Sequence, residues 1–184
     1  AENIAAFQAG EPLPHFYTAG TSSAFFGFTG CGISIGCIIA CMMSKNQRYK
    51  QIGRVSLFPA LFGINEPILF GAPIILNPIM FIPHIFGGAI IGTFPMFLMH
   101  WGLLNKPVFD PPYVGIFLEG FLTNGDWRTI IACAIQLIAS VAIYWPFFKI
   151  MERNDELQAA QAKADKAIFN AEDEALLADL DLDF

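Results

Sequence analysis

Charge is scarce in this chain of 184 residues: Asp, Glu, Lys and Arg make up 14% of it, against roughly 25% in soluble domains. That shortage, beside 55% hydrophobic residues, argues against a soluble globular domain and for a membrane protein. Histidine is rare as well, and the four cysteines (Cys31, Cys37, Cys41 and Cys133) all lie in apolar runs. No CxxC and no Cys/His cluster with metal-ligand spacing occurs, so neither a metal nor a cofactor is implied. The thiols read as buried small hydrophobes. Walker A, GxGxxG, HExxH and GxSxG patterns are absent too. With no basic patch interleaved with aromatics, nucleic acid is not an expected partner. The opening AENIAAFQAG lacks a basic n-region, an apolar h-region and an initiator Met. No signal peptide is expected, and the chain reads as an interior piece of a longer one.

The charge that is present is unevenly placed. Residues 152–184 hold ten acids and three bases, a net −7, whereas residues 1–151 hold six acids and seven bases, a net +1. The expectation is an apolar body, 1–151, and an acidic tail, 152–184, forming a soluble C-terminal helix. A solvated surface is the plain reading of that tail, and binding to a basic partner the sharper one.

In the body, Ser23–Met43 is uncharged and long enough for one membrane crossing, and its glycines are spaced for close helix packing. The next segment carries Lys45, Arg48, Lys50 and Arg54, which the positive-inside rule puts in the cytoplasm. Val55–Met99 then runs 45 residues with Glu66 as its single formal charge, broken by six prolines. It reads as a broken hairpin over Val55–Met80 and a span over His84–Leu103. A polar connector, 104–128, precedes the last span, Thr129–Phe148. Lys149 and Arg153 follow that span and also belong in the cytoplasm. The two basic ends share a side only if the Glu66 segment returns to its starting face, as a re-entrant hairpin does. The predicted fold is an all-α membrane protein with about three spanning helices, a re-entrant hairpin and the acidic tail helix.

Glu66 stands out because a carboxylate near a bilayer centre costs about 2.5–3.5 kcal/mol and usually faces a cavity or a partner. Its neighbours suggest how it is tolerated. Asn65 or Glu66 suits an N-cap and Pro67 the first helical position, so a half-helix would begin here. Broken helices survive in membranes where the freed backbone lines protein or water, and transporters build substrate sites at such ends. A structural cap or buried ion pair is the competing role for Glu66. Asn77 reads as a local cap before Pro78. His84 reads as a capping or packing residue at a helix start. His100 and Trp101 suit a membrane edge, and Asp126 with Arg128 a local ion pair around Trp127.

The block GINEPILFGAPIILNPIMFIP, residues 63–83, closely resembles the NEP signature of the IIC permease components of bacterial sugar phosphotransferase systems, in the lactose/cellobiose/N,N'-diacetylchitobiose branch. TGCGISIG (Thr29–Gly36) resembles that family's GGSGATLG, GFLTNGDWR (Gly120–Arg128) its GFLATGGDWR, and YWPFFK its closing helix. The resemblance covers residues 1 to about 151. It implies the C-terminal part of a sugar-binding transmembrane domain in the bacterial inner membrane, multi-pass, with a cytoplasmic C-terminus and a homodimer in the full-length protein. The implied partners are a disaccharide, the IIB and IIA components and the lipid bilayer. By this resemblance Glu66 accepts the proton or hydrogen bond of the sugar hydroxyl, Asn65 adds a polar contact, Tyr113 stands in for a stacking Trp of the PWTTP block, and His84 is a further sugar contact. The family's GIHG histidine, its dimerisation half and the IIB cysteine loop have no counterpart in the chain. It is therefore not expected to act as an enzyme alone, since phosphoryl transfer needs IIB. Two rival readings are a split-gene or non-functional fragment that needs the N-terminal half, and an unrelated ion-coupled transporter using Glu66.

Overall fold

A computed structural model describes residues 2–28, 30–72, 74, 75 and 77–180, with the backbone alone for 171–180. Helix dominates, and no strand occurs among the described residues. Two compact units are present, Ala1–Phe148 and Lys149–Phe184.

In the first unit α1 (Glu2–Ala9) precedes α2 (Ala19–Thr21), which widens into a π-turn at Ser22–Phe26. A hairpin of α3 (Ile35–Met42) and α4 (Gln47–Ala60) follows, then α5 (Glu66–Gly71) and α6 (Pro78–Ile82). The last of these continues through a second π-turn, Pro83–Gly87, into α7 (Gly88–His100). The order ends with α8 (Ile116–Asn124) and the long α9 (Arg128–Leu180). Two helical runs are long and apolar enough to cross a membrane: Pro78–His100, and α9 over Arg128–Asn170. The first begins at Pro78 rather than His84 because Asn77 caps it. The Ile79 N–H donates to Asn77 Oδ1 at 2.9 Å, and Pro78 fills a position whose N–H would have no helical partner. His84 consequently lies inside the helix and caps nothing.

The third expected span, Ser23–Met43, is not one helix. Gly30, Gly32 and Ile33 have φ of 87°, 76° and 51°, in the left-handed region that a right-handed helix cannot contain. Regular helix resumes only at Ile35. This leaves backbone carbonyls and amides unpaired in apolar surroundings, a costly condition unless partners are supplied. The partners come from α9. Gln136 Nε2 donates to the carbonyls of Phe25 (3.2 Å) and Ile91 (3.0 Å). One turn on, Ser140 Oγ donates to Ile33 O (2.6 Å) and accepts from the Gly36 N–H (2.9 Å). One turn further, the Tyr144 hydroxyl donates to Gly32 O (2.8 Å). Residues four apart share a helix face, so α9 presents a polar ladder to the broken segment. Contact is close: a Cβ on Gly36 would overlap the Ser140 backbone, and one on Gly88 would stand 2.7 Å from Gly32 Cα.

Between Val55 and Met80 the chain is interrupted as the prolines suggest. Pro59 lies in the last turn of α4, Gly63 turns with φ 78°, and Pro67 occupies the first turn of α5. The connector 101–115 is held by side chains. Lys106 Nζ donates to Leu13 O (2.6 Å) and sits 4.2 Å over the Phe16 ring, and Asn3 Nδ2 donates to Pro107 O (2.7 Å). The expected Asp126–Arg128 pair forms at 3.0 Å and prepares the start of α9, where the Arg128 N–H donates to Asp126 Oδ1. In the second unit α9 is exposed from Glu156 to Asn170, as a solvated tail helix should be; residues 181–184, the end of the acidic tail, lie outside the described residues.

Two outcomes test these contacts. Ser140→Ala leaves the Gly36 amide and the Ile33 carbonyl without their partner, so it should destabilise by about 1–3 kcal/mol, read as a lower melting temperature of the chain in detergent. An unchanged melting temperature would sink the ladder. Burial raises the Asp126 carboxyl, but bonds from the Arg128 side chain and the Arg128 and Asn105 amides outweigh it and hold it below the usual carboxylate range. Its folded value lies below the unfolded value of about 3.9, so its contribution is complete above about pH 4 and is lost as pH falls through the folded value. Melting temperature should drop on acidification below about pH 4, and Asp126→Asn should flatten that limb.

Candidate functional site

The broken glycine segment is the hub of the site. A Cβ on Gly30 would collide with the Asn65 side chain, and one on Gly32 with the His84 ring, so both glycines are needed for close approach as well as for their φ. Asn65 is buried, and its Nδ2 donates to Cys31 O at 2.7 Å. It occupies the N-cap position of α5, yet its side chain makes no capping bond. The expected cap role therefore fails for Asn65 because the side chain is already engaged across the fold.

Glu66 follows as the first residue of α5. It is exposed, and among the described residues no base is paired with it. The expected competing role as a buried ion-pair partner is thus not what the structure gives. His84 Nδ1 lies 3.3 Å from the Tyr144 hydroxyl, so its ring joins the ladder of α9 and packs on Gly32. Tyr113 is exposed, and its ring lies 3.3 Å from where a Cβ on Gly63 would sit, in the turn that leads to Asn65.

Beside this junction opens a cleft of ≈ 720 Å³. Cys31 and Tyr113 form its Asn65 side, and Tyr17, Ser23 and Asp110 line it further on. Asn65 is joined to this lining through its bond to the Cys31 carbonyl, and Asn65, Glu66 and His84 are not themselves among the lining residues. A roomy cleft with aromatic walls and few polar groups suits a small polar ligand.

Sequence reasoning missed three groups here. Asp110 accepts from the Gly20 N–H (2.5 Å) and from Thr18 Oγ1 (3.4 Å), and it lies in a connector with no periodicity to flag it. Glu119 is buried behind Ser23, and its Oε1 has no partner among the described residues; burial pushes its carboxyl up, against a smaller opposing effect of the Ser23 hydrogen bond. The Gln136/Ser140/Tyr144 ladder did leave a signal, polar residues at every fourth position of an apolar run.

Comparison with known proteins agrees with this architecture. The family model described as "Phosphotransferase system, EIIC" matches residues 1–88. The chain is 34% identical over 154 residues to the "Putative permease IIC component YwbA" of Bacillus subtilis (strain 168), covering 82% of this chain and 35% of that protein. It is 36% identical over 157 residues to the "PTS system lactose-specific EIICB component" of Staphylococcus aureus, covering 82% of this chain and 27% of that one. Among solved structures it is similar to the transporter ChbC, the IIC component from the N,N'-diacetylchitobiose-specific phosphotransferase system. The TM-score is 0.80 and the identity 29%, over 86% of this chain and 38% of that one. The chain thus spans about a third of the length of the relatives it matches. The family-model match, the shared backbone and several relatives above 30% identity make one statement: this chain belongs to the EIIC family of the phosphotransferase system.

Proposed function

We propose that the chain is the sugar-handling part of a phosphoenolpyruvate-dependent permease, which translocates a disaccharide of the lactose, cellobiose or chitobiose type and presents it to IIB. The carrying observation is the junction of Asn65 with Cys31, which brings the start of α5 to the wall of the cleft. In this reading the sugar lies against Tyr113 in the cleft and extends past Cys31, beyond the cleft lining, so that Asn65 and Glu66 meet the reacting hydroxyl and His84 is a further polar contact. A free carboxylate in hydrogen-bond reach of a hydroxyl can act as general base. Glu66 takes the hydroxyl proton while the sugar oxygen bonds to phosphorus, the P–S bond to the IIB cysteine breaks, and the thiolate leaves. Phosphoryl transfer of this kind depends chiefly on positioning.

The same reading assigns the finer membrane topology. The segment from the end of α4 through α5 to Asn77 forms the re-entrant hairpin, flanked by the helical runs Pro78–His100 and α9 as spans. The basic segment Lys45–Arg54, most of which lies in the first half of α4, and the acidic tail lie in the cytoplasm, where IIB and IIA act. The complete permease is a homodimer in the lipid bilayer. Among the described residues no base pairs with Glu66, which supports a carboxylate kept for a ligand.

The test is Glu66→Gln in the complete permease, assayed in membrane vesicles with the phosphoryl-donor components. Removing a general base typically costs 10²–10⁴-fold in rate, so phosphorylated sugar should fall by about 10²-fold or more with membrane insertion intact. Product formation at the parent rate would remove Glu66 from the chemistry.

A further inference from the structure

Asp110 stands on a divide between two openings. On one side is the ≈ 720 Å³ cleft beside Tyr113 and Cys31. On the other is a second cleft of ≈ 510 Å³, whose far wall includes Glu2 and His15. Both are bounded by the same three residues, Tyr17, Ala19 and Asp110, so Asp110 belongs to the lining of each. We infer that this divide is a second sugar-ring subsite, in which Asp110 and Tyr17 recognise the ring of a disaccharide that does not carry the reacting hydroxyl. This rests on the sugar-permease reading above and adds residues that it does not use.

The chemistry of the divide fits a sugar ring. One carboxylate oxygen, Oδ1, is occupied by the Gly20 N–H and Thr18 Oγ1, which fix the side chain's direction. The other, Oδ2, has no partner among the described residues. An ionised carboxylate accepts hydrogen bonds and donates none, so it suits hydroxyls, and charge-assisted bonds of this kind are about twice as strong as neutral ones. Tyr17 supplies an apolar face beside it. Its ring is 56% exposed and is braced edge-on by Phe26 at 6.0 Å. Thr18 is the hydroxyl within reach on the second side.

The placement of Asp110 is built into the fold. Gly20 allows the connector to lie against α2, because a Cβ there would stand 2.5 Å from Phe109 O. The Val108 and Phe109 amides both donate to Thr123 O of α8, at 2.8 and 3.2 Å, and Asn3 anchors Pro107. A carboxylate fixed by two segments and left half-free at the junction of two clefts is what a subsite requires. The larger cleft brings Tyr113 and Cys31, whose carbonyl takes the Asn65 bond, into one lining with Asp110 and Tyr17, and His15 lies in the second cleft. A two-ring ligand laid along the larger cleft would put one ring at Tyr113 and the next at Asp110.

Equilibrium binding of cellobiose and of glucose to the full chain in membrane vesicles tests this, comparing the parent with Asp110→Asn and Tyr17→Leu. Asparagine keeps an Oδ1 acceptor for the Gly20 N–H, so the first variant preserves the local fold. Loss of the charge-assisted hydrogen bond in Asp110→Asn, and of the aromatic face in Tyr17→Leu, should each weaken cellobiose binding by about tenfold. Glucose, which needs only the ring site at Tyr113, should change by less than about twofold. Equal weakening of both sugars, or no weakening of cellobiose, overturns the subsite while leaving the permease reading intact. A parent chain that binds neither sugar overturns both.

Discussion

An apolar environment does not tolerate free peptide groups, and in this fold Gly27, Phe28 and residues 30–34 form no helix. Everything near the site depends on how that run is satisfied. Gln136, Ser140 and Tyr144 of α9 supply the missing partners one turn at a time, reaching the carbonyls of Phe25, Ile33 and Gly32 and the amide of Gly36. Each bond on its own adds modestly to stability. Leaving the group unpaired would cost more, which is why the arrangement is strongly specified.

The satisfied glycine segment then becomes a template. Because Gly30 and Gly32 carry no side chain, Asn65 and His84 approach its backbone from two different helical elements. Asn65 is drawn to the Cys31 carbonyl, and that bond sets where α5 starts and where Glu66 emerges. Glu66 needs no neutralising base because it emerges exposed rather than sealed in the core. On the other wall of the cleft, the connector from Pro107 to Tyr113 has no regular structure of its own. It is positioned by Thr123, Asn3, Lys106 and the Gly20 amide. A site built from a broken helix and a pinned loop, both backed by one long helix, can hold polar groups inside an otherwise apolar molecule.

The relatives matched by the chain include a permease component and a lactose-specific EIICB component, of which it covers 35% and 27%. The stretch held in common contains the NEP block and the glycine segment that packs against it. That these two lie together is a property of the fold described here: they are more than 30 residues apart in sequence, and Asn65 bonds to Cys31 with a separation of 34.

Much was legible from residues alone. Scarcity of charge named the membrane class, and Asn77–Pro78 announced a helix start that the structure places there. Local signals of this kind work because caps and prolines act on their immediate neighbours. The Ser23–Met43 run was misread as one span because hydropathy counts residues and does not register φ. Only the packed state reveals that Gly30, Gly32 and Ile33 adopt left-handed backbone. Asp110 and the bond of Asn65 were equally out of reach, since their partners lie 90 and 34 residues away. The sequence by itself determined composition, helix starts and the isolated acid of the NEP block. The tertiary structure decided which broken backbone that acid would stand beside, because peptide groups freed in one segment can be satisfied only by side chains that folding brings from another.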